Sequence, residues 1–94
     1  MVTVERKRSI YYHRSRIDII AQILDTAEHG AKKTHIMYQC NLSYRQLTGY
    51  LTLLNDMQLL TRNQKAPSTY QATQKGKNFT KAYKNMKAIL TSPA

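Results

Sequence analysis

Apolar positions recur at helical spacing in four stretches of this chain, and short turn-forming runs separate them. Between Ser15 and His29 the apolar residues are Ile17, Ile20, Ile23, Leu24 and Ala27, which share one helical face. Ser15 can cap that helix, with Asp18 three residues on as its reciprocal partner. Gly30 supplies a stop, because glycine tolerates the left-handed conformation past a helix end. Ile10, Ile17 and Leu24 are spaced by sevens, so Ser9 is an alternative start.

A short second helix is expected from Lys33 to Cys40, with Ile36, Met37 and Cys40 facing inward. Asn41-Leu42-Ser43 breaks it and carries two turn formers. The third helix begins at Tyr44 and runs to about Met57, with Ser43 as its cap and Gln46 completing the box. Its apolar stripe is Leu47, Tyr50, Leu51, Leu54 and Met57. At about 100° per residue, Arg45, Thr48, Gly49, Thr52 and Asp56 fall on the opposite side.

Leu59 to Asn63 reads as a strand, and Thr69 to Ala72 as a second one. Pro67 cannot donate to a sheet ladder, so Gln64 to Ser68 is the connection between them. A last helix follows from Gln74 to Leu90, with Thr73 as its cap. Phe79, Tyr83, Met86 and Leu90 repeat at steps of four, three and four, as a coiled-coil seam does, with Lys77, Lys81 and Lys84 on the far side. Gly76 in the first turn should weaken this helix slightly.

Helix, short helix, tight turn, helix, hairpin, helix is the order of a winged helix-turn-helix. The expected fold class is therefore α+β, mostly helical. Residues 1–8 form a basic tail, residues 9–73 the winged-helix DNA-binding domain, and residues 74–94 a C-terminal dimerisation helix.

Charge turns this fold into a functional expectation. Fifteen Lys and Arg face five acids, for a net charge of +10. So large a surplus on 94 residues creates a strong positive potential and points to nucleic acid, with an anionic membrane surface as the rival. Arg6, Lys7, Arg8, Arg14 and Arg16 crowd the N-terminus, whereas Asp18, Asp25 and Glu28 share one helical stretch. No acid follows Asp56. The charge is thus polarised, as for a one-sided binder.

The candidate DNA contacts follow from geometry. The short helix and its turn brace the third helix so that its start and outer face can enter a major groove. Arg45 can donate two hydrogen bonds to guanine, and Gln46 can pair with adenine. Thr48, Gly49 and Thr52 complete the face, Gly49 either letting the backbone approach DNA, being simply tolerated, or packing on another element. Tyr44 either touches phosphate or packs on the preceding helix. Arg62 and Lys65 belong to the wing, and Lys32, Lys33 and Thr34 open the second helix, where a phosphate could be held.

The run Lys33-Thr34-His35-Ile36-Met37-Tyr38, then Asn41-Leu42-Ser43-Tyr44, then Leu47, Tyr50-Leu51 and Leu54, resembles a family of small archaeal winged-helix proteins. Tyr70 to Thr73 with Lys75-Gly76 extends the resemblance, which spans roughly residues 14 to 90. Its members include DNA-binding dimers regarded as chromatin or regulatory proteins. The resemblance implies a homodimer joined through C-terminal helices, with DNA contacts from the third helix and the wing. Family members can carry a much longer last helix. Here the seam ends by Leu90, so Phe79, Tyr83, Met86 and Leu90 either form the interface, combine with Ile10, Tyr11 or Tyr12 in it, or pack onto the domain's own core.

Other classes fit less well. The five acids form no evident catalytic pair, no glycine-rich phosphate loop is present, and His13, His29 and His35 stand at no metal-ligand spacing with Cys40. No enzyme, cofactor or metal is expected. The single cysteine permits no intrachain disulfide, and no apolar run approaches the ~20 residues of a membrane span. The expected setting is cytoplasmic and nucleoid-associated, with double-stranded DNA as partner. A protein-interaction winged helix and an RNA-binding protein are the alternatives.

Overall fold

Ser15 starts the first helix as its side chain predicts. In the computed structural model, which describes residues 14–91, the Ser15 hydroxyl accepts from the Asp18 amide at 3.1 Å. The Asp18 carboxylate accepts from the Ser15 amide at 3.1 Å in return. Helix α1 spans Arg16–Thr26 and is followed by strand β1, Ala31–Lys32. Helices α2, Lys33–Gln39, and α3, Tyr44–Asp56, come next. Strands β2, Leu60–Arg62, and β3, Thr69–Ala72, form the hairpin, and α4 closes the domain over Gln74–Thr91. This is an α+β, mostly helical winged helix-turn-helix. The N-terminal tail, Ser9 and the aromatic pair at 11 and 12 lie outside the described residues.

Helix α1 ends three residues before His29. The Ala27 carbonyl, which would continue the helix, accepts instead from the amides of Gly30 at 3.1 Å and Ala72 at 2.9 Å. Gly30 takes a φ of +98°, the left-handed region expected of it. The chain then enters β1, an element the sequence pattern did not predict. Two residues cannot display a period. Pairing with β3 defines them, through Ala31 with Tyr70 and Lys32 with Thr69. The sheet order is β1-β3-β2, all antiparallel, with Leu60 opposite Ala72 and Arg62 opposite Tyr70.

The core joins α1, α2, α3 and the sheet. Ile23, Leu24, Ile36, Leu47, Leu54 and Leu60 are fully buried, and Cys40 with them. Two residues expected in apolar stripes stand outside. Ile17 is 51% exposed on the first turn of α1. Met57 is 43% exposed because it is the C-cap of α3, where the helical register ends.

Both α2 and α3 end in the same way. Asn41 (φ +54°) and Gln58 (φ +62°) adopt the left-handed conformation just past each C-cap. The Leu42 amide then donates back to the Met37 carbonyl, and the Leu59 amide to the Leu54 carbonyl. These bonds satisfy helix-end carbonyls that would otherwise lack partners.

Thr73 caps α4, accepting from the Gly76 amide at 3.0 Å and donating to the Gln58 carbonyl at 2.6 Å. Gly76 does more than weaken the helix start. A Cβ there would lie 2.2 Å from the Leu59 carbonyl oxygen, so only glycine allows this approach. Farther along, Phe79 packs on the core, Tyr83 bonds to Asp18, and Lys84 Nζ lies 3.0 Å from Asp25 Oδ1. Lys84 therefore faces α1 rather than the far side of the helix. Beyond Tyr83 the apolar side chains of Met86, Ile89 and Leu90 are exposed, Leu90 to 71%.

Candidate nucleic-acid interface

The capping box of α3 fixes the start of the candidate reading helix. The Ser43 hydroxyl accepts from the Gln46 amide at 3.1 Å, and Gln46 Oε1 accepts from the Ser43 amide at 2.9 Å. Gln46 is thus a capping residue first. Its carbonyl oxygen takes part in the box, and the residue remains exposed. Pairing with adenine would use the second lone pair of that oxygen together with the side-chain N–H groups.

The rest of the outer face is free. Tyr44, Arg45, Thr48, Gly49 and Thr52 are all exposed. The Thr48 hydroxyl donates to the Tyr44 carbonyl at 2.9 Å, which leaves its oxygen to accept. A Cβ on Gly49 would meet nothing within 4 Å, so no packing accounts for a glycine at this site. Arg45, Gln46 and Gly49 line a shallow groove with Tyr50, Leu53 and Arg16. Arg16 comes from the first turn of α1, and its place beside Arg45 is a tertiary fact that spacing along the chain does not carry.

Lys33 and Tyr44 are brought together, with Lys33 Nζ 5.5 Å from the Tyr44 ring centroid. This cation–π contact ties the start of α2 to the start of α3. Lys32 stands at the N-cap of α2, directly before Lys33 and Thr34. It belongs to β1, and its side chain makes no capping bond to α2.

The wing presents a second basic group. Arg62 stacks over Tyr70, 5.4 Å from its centroid, and donates to the Tyr70 hydroxyl at 2.9 Å. The planar guanidinium is thereby held in one orientation, which favours recognition of a phosphate or a base edge. Thr52, Asn55, Arg62 and Tyr70 line one cleft between α3 and the wing. Sequence reasoning missed Asn55 and Tyr70. Asn55 lies seven residues after Thr48, on the same helical face, and that signal was available. Asn63 builds the turn by accepting from the amides of Lys65 at 2.9 Å and Ala66 at 3.3 Å, and Lys65 is exposed near its tip.

Acids are sparse on this face. Asp18 and Asp25 are engaged by α4, and between Tyr44 and Ala72 the only acid is Asp56. The Tyr83 hydrogen bond holds the Asp18 carboxyl below its ordinary value, and the same bond pushes the Tyr83 phenol up to about 12. Burial raises the Cys40 thiol, which keeps it protonated and unreactive inside the core. Among the described residues no group of three His, Cys, Asp or Glu side chains could hold a metal, and no helix is long and apolar enough to cross a membrane.

Of the expected dimerisation residues, Phe79 and Tyr83 are half-buried against their own domain, whereas Met86 and Leu90 are exposed.

The winged helix-turn-helix family matches residues 13–91 of the chain. Among solved structures, the crystal structure of Sso10a-2, a DNA-binding protein from Sulfolobus solfataricus, is similar in fold. Its TM-score is 0.71 at 23% identity, over 81% of each chain. None of the curated proteins matches the chain.

Proposed function

The chain belongs to the winged helix-turn-helix family, and on that premise we propose that it binds double-stranded DNA as a homodimer. In this reading α3 enters the major groove and the hairpin wing lies on the backbone or in the minor groove. Arg45 reads a base edge, with Thr48 and Thr52 beside it, and the Gly49 backbone approaches the groove floor. Tyr44, Lys33, Thr34 and Gln46 flank the start of α3. Arg62 and Lys65 hold the neighbouring strand, and Lys32 adds charge at the sheet edge. The protein acts without catalysis, as a nucleoid-associated regulator or architectural protein.

The observation that carries this reading is the exposed, acid-poor surface shared by α3 and the wing. It holds Arg45 at one end and the Tyr70-braced Arg62 at the other. The DNA-binding character of Sso10a-2, a protein of similar fold, supports it. Helix-in-groove contact suits B-form DNA better than the deep, narrow groove of RNA. Arg45→Ala tests the assignment by duplex titration, with an expected loss of about 1–3 kcal/mol. An unchanged affinity removes Arg45 from the interface. The proposed dimer forms through the end of α4, where Met86 and Leu90 are exposed among the described residues.

A further inference from the structure

Arg14 and Arg16 are two residues apart in a basic segment, yet the fold gives them opposite surroundings. Arg16 lines the groove beside Arg45. Arg14 turns to the other side of α1 and reaches the end of α2. Its Nη1 donates to the Cys40 carbonyl at 2.7 Å and to Gln22 Oε1 at 2.6 Å, and its Nη2 lies 3.4 Å from the Asn41 carbonyl. Gln22 completes the grip, donating from Nε2 to the Gln39 carbonyl at 3.1 Å.

These bonds fall where a helix most needs them. The last carbonyls of a helix have no partner within it, and the helix dipole is negative there. The Met37 and Tyr38 carbonyls are satisfied by the amides of Leu42 and Asn41. Of the next three carbonyls, Gln39 takes a donor from Gln22 of α1, and Cys40 and Asn41 take theirs from Arg14, just before the α1 cap. These three residues carry the chain into the turn, and Asn41 stands two positions before Ser43, the cap of α3. A guanidinium suits this task because it offers several N–H donors in a rigid plane.

We propose that Arg14, with Gln22, is a positioning residue for the reading helix: it clamps the α2–α3 turn to α1 and sets how α3 is presented to DNA. This rests on the DNA-binding reading above. Arg14 then acts through geometry, although composition groups it with the charges that face nucleic acid.

The test is a duplex titration of Arg14→Ala, Arg14→Lys, Gln22→Ala and Arg16→Ala over a range of salt. It is run at a temperature where circular dichroism finds each variant folded. Arg14→Ala should weaken binding about tenfold, the scale of a lost charge-assisted hydrogen bond, and leave the salt slope unchanged. Gln22→Ala should weaken binding in the same direction, although it removes no charge, and Arg14→Lys should recover part of the loss. Arg16→Ala should make the slope shallower by about 0.9, as loss of one phosphate contact does.

Wild-type affinity in Gln22→Ala and Arg14→Ala overturns the proposal. So does a shallower slope in Arg14→Ala with no effect of Gln22→Ala, since Arg14 would then be a phosphate contact. If Arg14→Ala does not fold, Gln22→Ala and Arg14→Lys decide. Amide exchange at Asn41 and Leu42 gives a readout without DNA, and should accelerate in Gln22→Ala and Arg14→Ala. Unchanged exchange refutes the clamp. Failure of the wild-type protein to bind duplex refutes the functional reading instead.

Discussion

The phenol of Tyr83 donates a hydrogen bond to the Asp18 carboxylate and so pins α4 to the first turn of α1, across 65 positions of sequence. The two oxygens of Asp18 divide their work. Oδ1 accepts the hydrogen bond from the Tyr83 hydroxyl, and Oδ2 accepts from the Ser15 amide in the capping box. The bond favours ionised Asp18 and neutral Tyr83, lowering the first pKa and raising the second to about 12.

This pair makes stability depend on pH at both extremes. Asp18 is depressed in the folded state, so its contribution is fully present above its ordinary value of 3.8 and is lost as pH falls through the folded value. Tyr83 is raised, so its contribution is complete below 10.0 and is lost between there and about 12. Tyr83→Phe should cost about 1 kcal/mol at neutral pH and flatten the alkaline limb in urea unfolding. An unaltered alkaline limb would show that the bond contributes nothing.

Two glycines in helices should respond oppositely to alanine. At Gly76 a Cβ would collide with the Leu59 carbonyl, so Gly76→Ala should destabilise by about 1–3 kcal/mol despite better helix propensity. At Gly49 the space is open, so Gly49→Ala should stabilise by about 0.5–1 kcal/mol. The same methyl should reduce duplex affinity, since it stands on the face that approaches DNA. Thermal unfolding and titration of both variants check the pair. A Gly49→Ala protein with undiminished affinity would remove close backbone approach from the account.

Gln46 separates capping from reading. Gln46→Glu keeps the box and adds a negative charge at the positive end of α3, so the melting temperature should hold or rise. Repulsion from DNA should nonetheless weaken binding. Equal affinity would place Gln46 away from the duplex.

The helical elements were legible because their signals are local. Ser15 with Asp18 and Ser43 with Gln46 are capping boxes in sequence and in structure. Leu47, Leu51 and Leu54 carry the period that buries α3. What escaped is tertiary in origin. The two residues of β1 become a strand only against β3, and Ala27 ends α1 because Ala72 occupies its carbonyl. Gly76 was read as a helix weakness because the Leu59 carbonyl above it is invisible in one dimension. On α3, the exposure of Arg45, Thr48 and Thr52 followed from helical angle alone. The partnership of Arg62 with Tyr70 needed the strand register.

The exposed end of α4 bears on assembly. Met86, Ile89 and Leu90 are apolar and uncovered, Ile89 to 74%. Replacing Met86 and Leu90 together with glutamate should yield monomers by light scattering and leave the domain folded, because neither belongs to the core cluster. A dimer that survives places the interface elsewhere.

The most direct test of the central claim is the salt dependence of binding to duplex DNA. If α3 and the wing neutralise several phosphates, log affinity should fall linearly with log salt, by about 0.9 for each contact. Binding should be strong at low salt and weaker for structured RNA. Absence of duplex binding at low salt, or equal affinity for structured RNA, would contradict the account.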